Sequence, residues 1–527
     1  MPRIAVALHV SLASAVALWS APAPAAERRV ADEQADREAL ESVVPRHFKS
    51  LCAASATPGF KHCLAKVVTD PDGVVVPMAG PTGGLRPADL QSAYVLPPTG
   101  GNGRLVAAVD AFDYPNAEAD LAVYRAQYGL PPCTTANGCF QKVNENGGPN
   151  LPGLDPAGGC NAGWSGETAL DLQMISAACP DCRILLVEAS APDNSLATGV
   201  DTAVELGAVA VSNSYGGGED IAGGDKVQEP DYTHPGVLIT VSAGDEGYGA
   251  EYPATSAGVV AVGGTTLKKS SSTRGWAEAA WRHGGSGCSA EIPKPVWQTD
   301  TVCKYRMNAD VSAVGDPATG VAVFCSDPSS LGGWTIVGGT SVSAPFVAAA
   351  FTVMNVPSDP GFVWTHPRFF FDVTTGINGK CATTYFCSSG IGYDGPTGWG
   401  TLNGELLIEA QDLDGGLGDD DAGAIDSGAG DPDGAYEALD ATPASEDDSG
   451  APVVGASDAA GSGAAADAGG NGVSPGAGPL GAAYVGAAGC GCRMVESGRD
   501  RRAAPGVLLA FGIFGARRRR AKRSQPG

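Results

Sequence analysis

Gly236-Val237-Leu238-Ile239-Thr240-Val241, followed by Ser242-Ala243-Gly244-Asp245-Glu246-Gly247, is the stretch on which the fold turns. An apolar and β-branched run without polar alternation predicts a strand buried on both faces, as in a parallel sheet. The run ends in glycines that flank an acid, and open α/β sheets place ligands at such strand ends. Similar runs lie at 105–109, 184–187, 208–211 and 259–262. Helical stretches stand between several of them, at 168–178 and 197–206. The alternation predicts an α/β fold, a largely parallel sheet covered by helices on both faces. The span 86–408, about 320 residues, is ample for one large core.

Further along, Gly338-Gly339-Thr340-Ser341-Val342-Ser343-Ala344-Pro345 runs into the apolar stretch 346–351. The glycines allow a sharp turn and close approach of a ligand. A helix beginning there favours negative charge developing beside Ser341. The segment therefore reads as a nucleophilic serine or, more plainly, as a Gly-Thr-Ser helix cap. A nucleophile needs a base, and the chain has six histidines. His9 lies in the N-terminal apolar segment, His47 and His62 precede the expected catalytic domain, and His366 follows the serine. His234 and His283 remain, neither in a His-Gly-Thr helix start, so a Ser-His-Asp triad has little support.

Carboxylates offer another base. Glu167 and Asp171 are four apart in 166–172, on one helix face. Like charges at that spacing raise the pKa of one partner, and such a carboxyl can act as base and then acid toward serine. The plainer alternative is two solvated acids on a helix surface. Asp245, held protonated at its strand end, could donate a hydrogen bond to an oxyanion. Its plainer alternative is an Asp-Glu-Gly turn.

The order Glu-x-x-x-Asp, Ala-Gly-Asp, Gly-Gly-Thr-Ser resembles the sedolisin family of serine-carboxyl peptidases, over about 86–408. Tyr252-Pro253-Ala254 leading into 259–265 fits the same pattern, as does Ser212-Asn213-Ser214-Tyr215-Gly216-Gly217. The resemblance implies a subtilisin-like architecture and endopeptidase activity that favours acidic pH. It implies Glu167 as base, Asp171 as its orienting partner, Asp245 at the oxyanion hole and Ser341 as nucleophile. It also implies Ser214, Tyr215 and Gly216 as a substrate-binding strand. Family members have a long folded propeptide, whereas this chain has only 26–85 for a short propeptide or N-terminal extension. Asp110 stands where some members have a glutamate that supports the helix aspartate, and Tyr215 where some have tryptophan.

Asp372 and Asp394 lie in glycine-rich turns, where carboxylates and backbone carbonyls can form the oxygen shell that Ca²⁺ prefers. The resemblance implies a C-terminal calcium-binding loop region with Asp372, Val373, Gly390, Gly392 and Asp394 as ligands.

The ends of the chain concern address. Residues 1–25 read as a secretory signal peptide, so the protein is expected to be secreted or at the cell surface. An uncleaved N-terminal anchor is the alternative. Residues 409–488 are rich in Asp, Gly and Ala and cannot bury a core. They carry much of the net charge of −25, which therefore reflects a solvating linker rather than a partner, and no nucleic-acid partner is expected. Residues 489–527 combine Cys490 and Cys492, a short apolar run and Arg517–Arg520. The apolar run as helix would span about 21 Å, short of a bilayer core of about 30 Å. This tail resembles the C-terminal sorting tails of myxobacterial surface proteins, which implies sorting machinery or a weak membrane anchor as partner. Otherwise the chain is expected to be a monomer acting on proteins or peptides.

Fourteen cysteines in an exported chain point to disulfides. With Cys490 and Cys492 set aside in the tail, twelve remain; spacing suggests Cys52–Cys63, Cys133–Cys139, Cys179–Cys182, Cys288–Cys303 and Cys381–Cys387, which leaves Cys160 and Cys325 available to each other. Zinc at Cys179 and Cys182 lacks a second half-site. Three rivals to a sedolisin-type peptidase remain: a subtilisin-type protease with a histidine base, a catalytically inactive peptide-binding surface homologue, and a lipase or esterase, whose Gly-x-Ser-x-Gly frame Ser341 lacks.

Overall fold

The run at 236–241 forms the strand Leu238–Ser242, every residue of which is buried. It lies inside a ten-stranded sheet in a computed structural model of the chain. The structure describes residues 25–414 apart from Ala56, Pro58, Ile221, Pro328 and Ser329. The expected signal peptide, all but the first residues of the expected linker, and the expected sorting tail lie outside the described residues.

From one edge the sheet runs Phe140–Asn144, Arg183–Ala189, Leu105–Ala111, Ala210–Asn213, Leu238–Ser242, Val260–Lys269, Val311–Val314, Thr401–Leu402 and Phe370–Phe371. Neighbours from Phe140–Asn144 to Thr401–Leu402 pair in parallel. Trp276–Ala280 and Phe370–Phe371 add antiparallel pairs. All seven residues of Leu105–Ala111 are buried, as expected of a strand covered on both faces.

Side chains alternate across that strand. Val109 faces the helix Asn194–Glu205, where a Cβ on Gly199 would come within 2.8 Å of Val109 Cγ1. Asp110 faces the other way, toward the helix Trp164–Ala178. That second helix is buried around its whole circumference. It packs against the helix Thr340–Val353, which is buried over all but its last residue. Helices apolar all round belong in a core, and here they carry the acids and the serine singled out above.

A second, antiparallel sheet joins His47–Ser50, Lys66–Thr69, Ser330–Gly338 and Val321–Asp327 in that order. It crosses the domain boundary expected at residue 85, because two of its strands come from 26–85 and two from beyond it. The boundary expected at 408 also falls within an element, the helix Gly404–Asp414, whose Leu407 is buried. All six expected disulfides are present, including Cys160–Cys325 across 165 residues. Among the described residues, no helix is long and apolar enough to cross a membrane.

Candidate active site

Ser341 is the second residue of the helix Thr340–Val353 and is fully buried. Gly339 leads into it with φ of 101°, a conformation that favours glycine. Pro345, four residues on, lacks the N–H that would bind the Ser341 carbonyl. Ser214 Oγ lies 3.5 Å from that carbonyl instead. The Ser341 hydroxyl donates to the Ser214 carbonyl at 3.4 Å.

The structure brings Glu167 and Asp171 to the same place. Ser214 Oγ donates to Asp171 Oδ1 at 2.8 Å. Glu167 Oε2 accepts the backbone N–H of Ala65 at 2.8 Å, while Oε1 accepts no hydrogen bond. Burial pushes Glu167 well above the ordinary carboxylate range, with the Ser341 hydroxyl opposing the rise and the Asp110 charge adding to it. Burial also raises Asp171, reinforced by the charges of Asp110 and Glu167. Burial lifts Asp110 to about 7. The three buried acids act on one another by charge, so they lose their protons as one set rather than singly. The solvated-acid alternative for Glu167 and Asp171 is excluded, since both are fully buried.

Asp245 follows the strand Leu238–Ser242, as the sequence placed it. Its Oδ1 accepts the Thr340 N–H at 2.8 Å and the Thr340 hydroxyl at 2.9 Å. Its Oδ2 is buried and accepts nothing. Burial pushes this carboxyl up to about 7 against the opposing charge of Lys66.

No sequence signal announced what lies across these residues. His62–Cys63 pairs antiparallel with Tyr215–Gly216, His62 opposite Gly216 and Cys63 opposite Tyr215. The Leu64 N–H donates to the Ser214 carbonyl at 3.2 Å. Beyond Ala65 the chain pairs with the other wall, Lys66 opposite Gly338 and Val67 opposite Val337. A Cβ on Gly339 would lie 2.3 Å from the Leu64 carbonyl oxygen and 2.6 Å from Asp245 Oδ2, so these two oxygens share one niche. The Leu64–Ala65 peptide thus has Glu167 at its nitrogen and Asp245 near its carbonyl. A hydroxyl, a carboxyl at the departing nitrogen and an acid at the carbonyl oxygen are what acyl transfer from a peptide requires.

Ser214, Tyr215 and Gly216, expected above to form a substrate-binding strand, are the residues that pair with 62–64, and the Tyr215 hydroxyl donates to Asn213 Oδ1 at 2.8 Å. Histidines stand elsewhere. His234 Nε2 lies 3.0 Å from Asp201 Oδ1, and the His283 ring packs at 5.4 Å from Phe48 and 5.6 Å from Trp281. Among the described residues, no histidine hydrogen-bonds Ser341.

The proposed metal loop folds around its two aspartates. Asp394 Oδ2 accepts from Gly390 N at 2.8 Å, and Asp372 Oδ2 from Gly392 N at 2.8 Å. Burial pushes Asp394 up to about 7, and the charge of Asp372 adds to it. Among the described residues neither aspartate has a salt-bridge partner, and no group of three or more His, Cys, Asp or Glu converges. Asp394 is buried and Asp372 exposed, and a pair of acids in glycine-rich turns, the charge of one raising the other, fits an oxygen-ligand metal that takes its remaining ligands from backbone carbonyls.

Residues 153–366 match the Subtilase family. The chain is 29% identical over 376 residues to kumamolisin of Bacillus sp. (strain MN-32), covering 63% of this chain and 64% of that protein. It is 30% identical over 204 residues to sedolisin of Pseudomonas sp. (strain 101), covering 32% and 34%. It is 27% identical over 338 residues to tripeptidyl-peptidase 1 of Dictyostelium discoideum, covering 55% and 52%. The chain thus spans less than two thirds of the length of each of these relatives. A solved structure of Pseudomonas sedolisin, a serine-carboxyl proteinase complexed with pseudo-iodotyrostatin, superposes with a TM-score of 0.55 at 24% identity. That superposition covers 64% of this chain and 100% of the other. The fold is therefore subtilisin-like α/β.

Proposed function

We propose that this chain is an exported serine-carboxyl endopeptidase of the sedolisin type. The observation that carries the reading is the Leu64–Ala65 peptide, held between Ser214, Glu167 and Asp245, with the Ser341 hydroxyl on the same Ser214 carbonyl that accepts the Leu64 N–H. Ser341 Oγ attacks the carbonyl carbon while its proton passes to Glu167, whose Oε1 is free to take it. Asp171 shares the charge that Glu167 carries. Protonated Asp245 donates through Oδ2 to the oxyanion. When the tetrahedral intermediate collapses, Glu167 returns the proton to the departing amine, whose nitrogen already faces Oε2. Water then attacks the acyl-enzyme, Glu167 takes its proton, and Ser341 is restored.

Four variants test the base. Glu167→Gln and Asp171→Asn should each lower turnover of a peptide substrate by about 10²-fold or more. His234→Ala and His283→Ala should leave it within about twofold, because neither ring reaches Ser341. The reverse pattern would establish a histidine base.

Calcium is proposed at Asp372 and Asp394, with Val373, Gly390 and Gly392 contributing carbonyls. The metal would neutralise two close carboxylates and bind only the folded chain, so it should stabilise by mass action. Chelation should lower the melting temperature, and Asp394→Ala should remove that sensitivity. An unchanged melting curve with no calcium by metal analysis would rule the site out.

A further inference from the structure

The N-terminal segment carries one buried cation into the groove. Lys61 lies three residues before Leu64 and is 3% exposed. Its N–H donates to the Pro192 carbonyl at 2.8 Å, which continues the main-chain pairing of His62 and Leu64. Its Nζ lies 3.5 Å from Asp225 Oδ1, both side chains being almost wholly buried, and 4.7 Å from the centroid of the Tyr252 ring. The pocket is otherwise acidic. Burial pulls the Lys61 ammonium below its ordinary range, and the charges of Asp225, then Glu251 and Asp220, oppose that fall.

The walls of this pocket belong to the body of the protein, whereas the lysine belongs to the segment that fills the groove. Asp225 Oδ2 is occupied by the Asp220 N–H at 2.7 Å, but Oδ1 accepts no hydrogen bond. A buried carboxylate oxygen aimed at a cation is costly to leave alone. A side chain at 217 would narrow the entrance, since a Cβ on Gly217 would lie 2.9 Å from the Phe60 carbonyl and 3.4 Å from Lys61 Cδ. Resting on the peptidase reading above, Leu64 is the residue before the cut bond and Lys61 the fourth before it. Any peptide bound in the same register puts its fourth residue into this pocket.

We propose that Asp225 and Tyr252 form a specificity pocket that selects a basic side chain at the fourth position before the cleaved bond. Lysine engages it by charge and by cation–π contact. Arginine is expected to be accepted at least as well, because Nζ stops short of hydrogen-bond distance and a longer guanidinium would reach Oδ1. A glutamate there would face a buried carboxylate and be rejected.

The test uses the full chain and four peptides that differ only at the fourth position before a Leu-Ala bond: Lys, Arg, Ala and Glu. The kcat/KM for Lys and Arg should exceed that for Ala by about tenfold or more, and Glu should fall about a hundredfold below Lys. Asp225→Asn should flatten the series chiefly through the Lys and Arg peptides. In cis, Lys61→Glu should slow scission after Leu64 by about tenfold, whereas Lys61→Arg should not. Equal rates for Lys, Ala and Glu would overturn the pocket while leaving the peptidase reading intact. Absence of all cleavage, or cleavage undiminished in Ser341→Ala, would overturn both.

Discussion

Ser341→Ala is expected to abolish peptide hydrolysis, by about 10³-fold or more, and to keep residues 61–66 in the groove. The wild-type chain should cut itself between Leu64 and Ala65, giving a fragment that begins at Ala65, and the variant should remain whole. The expectation rests on geometry at one peptide. The Leu64 N–H is fixed on Ser214, the Ala65 N–H on Glu167, and the carbonyl shares a niche with Asp245. Holding a bond and a nucleophile in one arrangement removes much of the entropic barrier to their reaction. The cut need not release the N-terminal fragment at once. Cys52 and Cys63 are joined on its side of the bond, and His47–Ser50 pairs with Lys66–Thr69 on the other side. The fragment would then stay seated until that short ladder opens. Mass spectrometry of wild type and variant measures the outcome directly. An intact wild type would overturn self-cleavage at this bond, and a variant cut after Leu64 would remove Ser341 from the chemistry.

Much of this was legible in the chain before any coordinates. The parallel strands were readable because burial on both faces demands continuous apolar runs, and each of the five runs falls in a strand of the sheet. The run at 259–262 was read too short. Its strand continues through polar Thr265, Thr266, Lys268 and Lys269 to pair with Trp276–Ala280 at the sheet's margin. Glu167, Asp245 and Ser341 stood out because acids and a serine interrupt apolar or glycine-rich segments near element ends, and Asp171, at mid-helix, because it lies four residues from Glu167. The placement of residues 61–66 was not legible. His62-Cys63-Leu64-Ala65 has no helical or strand period of its own, and its partners lie about 150 residues away in sequence and at 338. Such pairing is decided by the tertiary surface offered to the segment rather than by local propensity. The Lys61–Asp225 contact was hidden for the same reason.

Activity should be greatest on the acid side of neutrality and fall as pH rises through about 7, the value to which burial lifts Asp245. Below that pH the carboxyl keeps its proton and can donate from Oδ2, the oxygen left without a partner. Above it the group is an acceptor only and sets a negative charge against the developing oxyanion. Glu167 works in the opposite sense, since it must be ionised to take the serine proton. Its own carboxyl is held well above the ordinary range, so activity should also decline as pH falls, starting above the ordinary carboxylate range, and the profile should be bell-shaped. Stability follows a related course. Asp110, Asp245 and Glu251 are each raised to about 7, so the folded chain binds protons more tightly than the unfolded one. Their stabilisation is complete below the unfolded carboxylate value of about 4 and is lost as pH climbs through about 7. Turnover must therefore be compared at temperatures where melting shows every variant folded. Under that condition Asp245→Ala should lose about 10²- to 10³-fold at every pH, the scale of a missing oxyanion donor. Asp245→Asn keeps a neutral N–H donor, so it should retain part of the activity and lose the alkaline decline. A wild-type profile still rising above neutrality, and unaltered in Asp245→Asn, would show that the proton on this carboxyl has no part in the reaction.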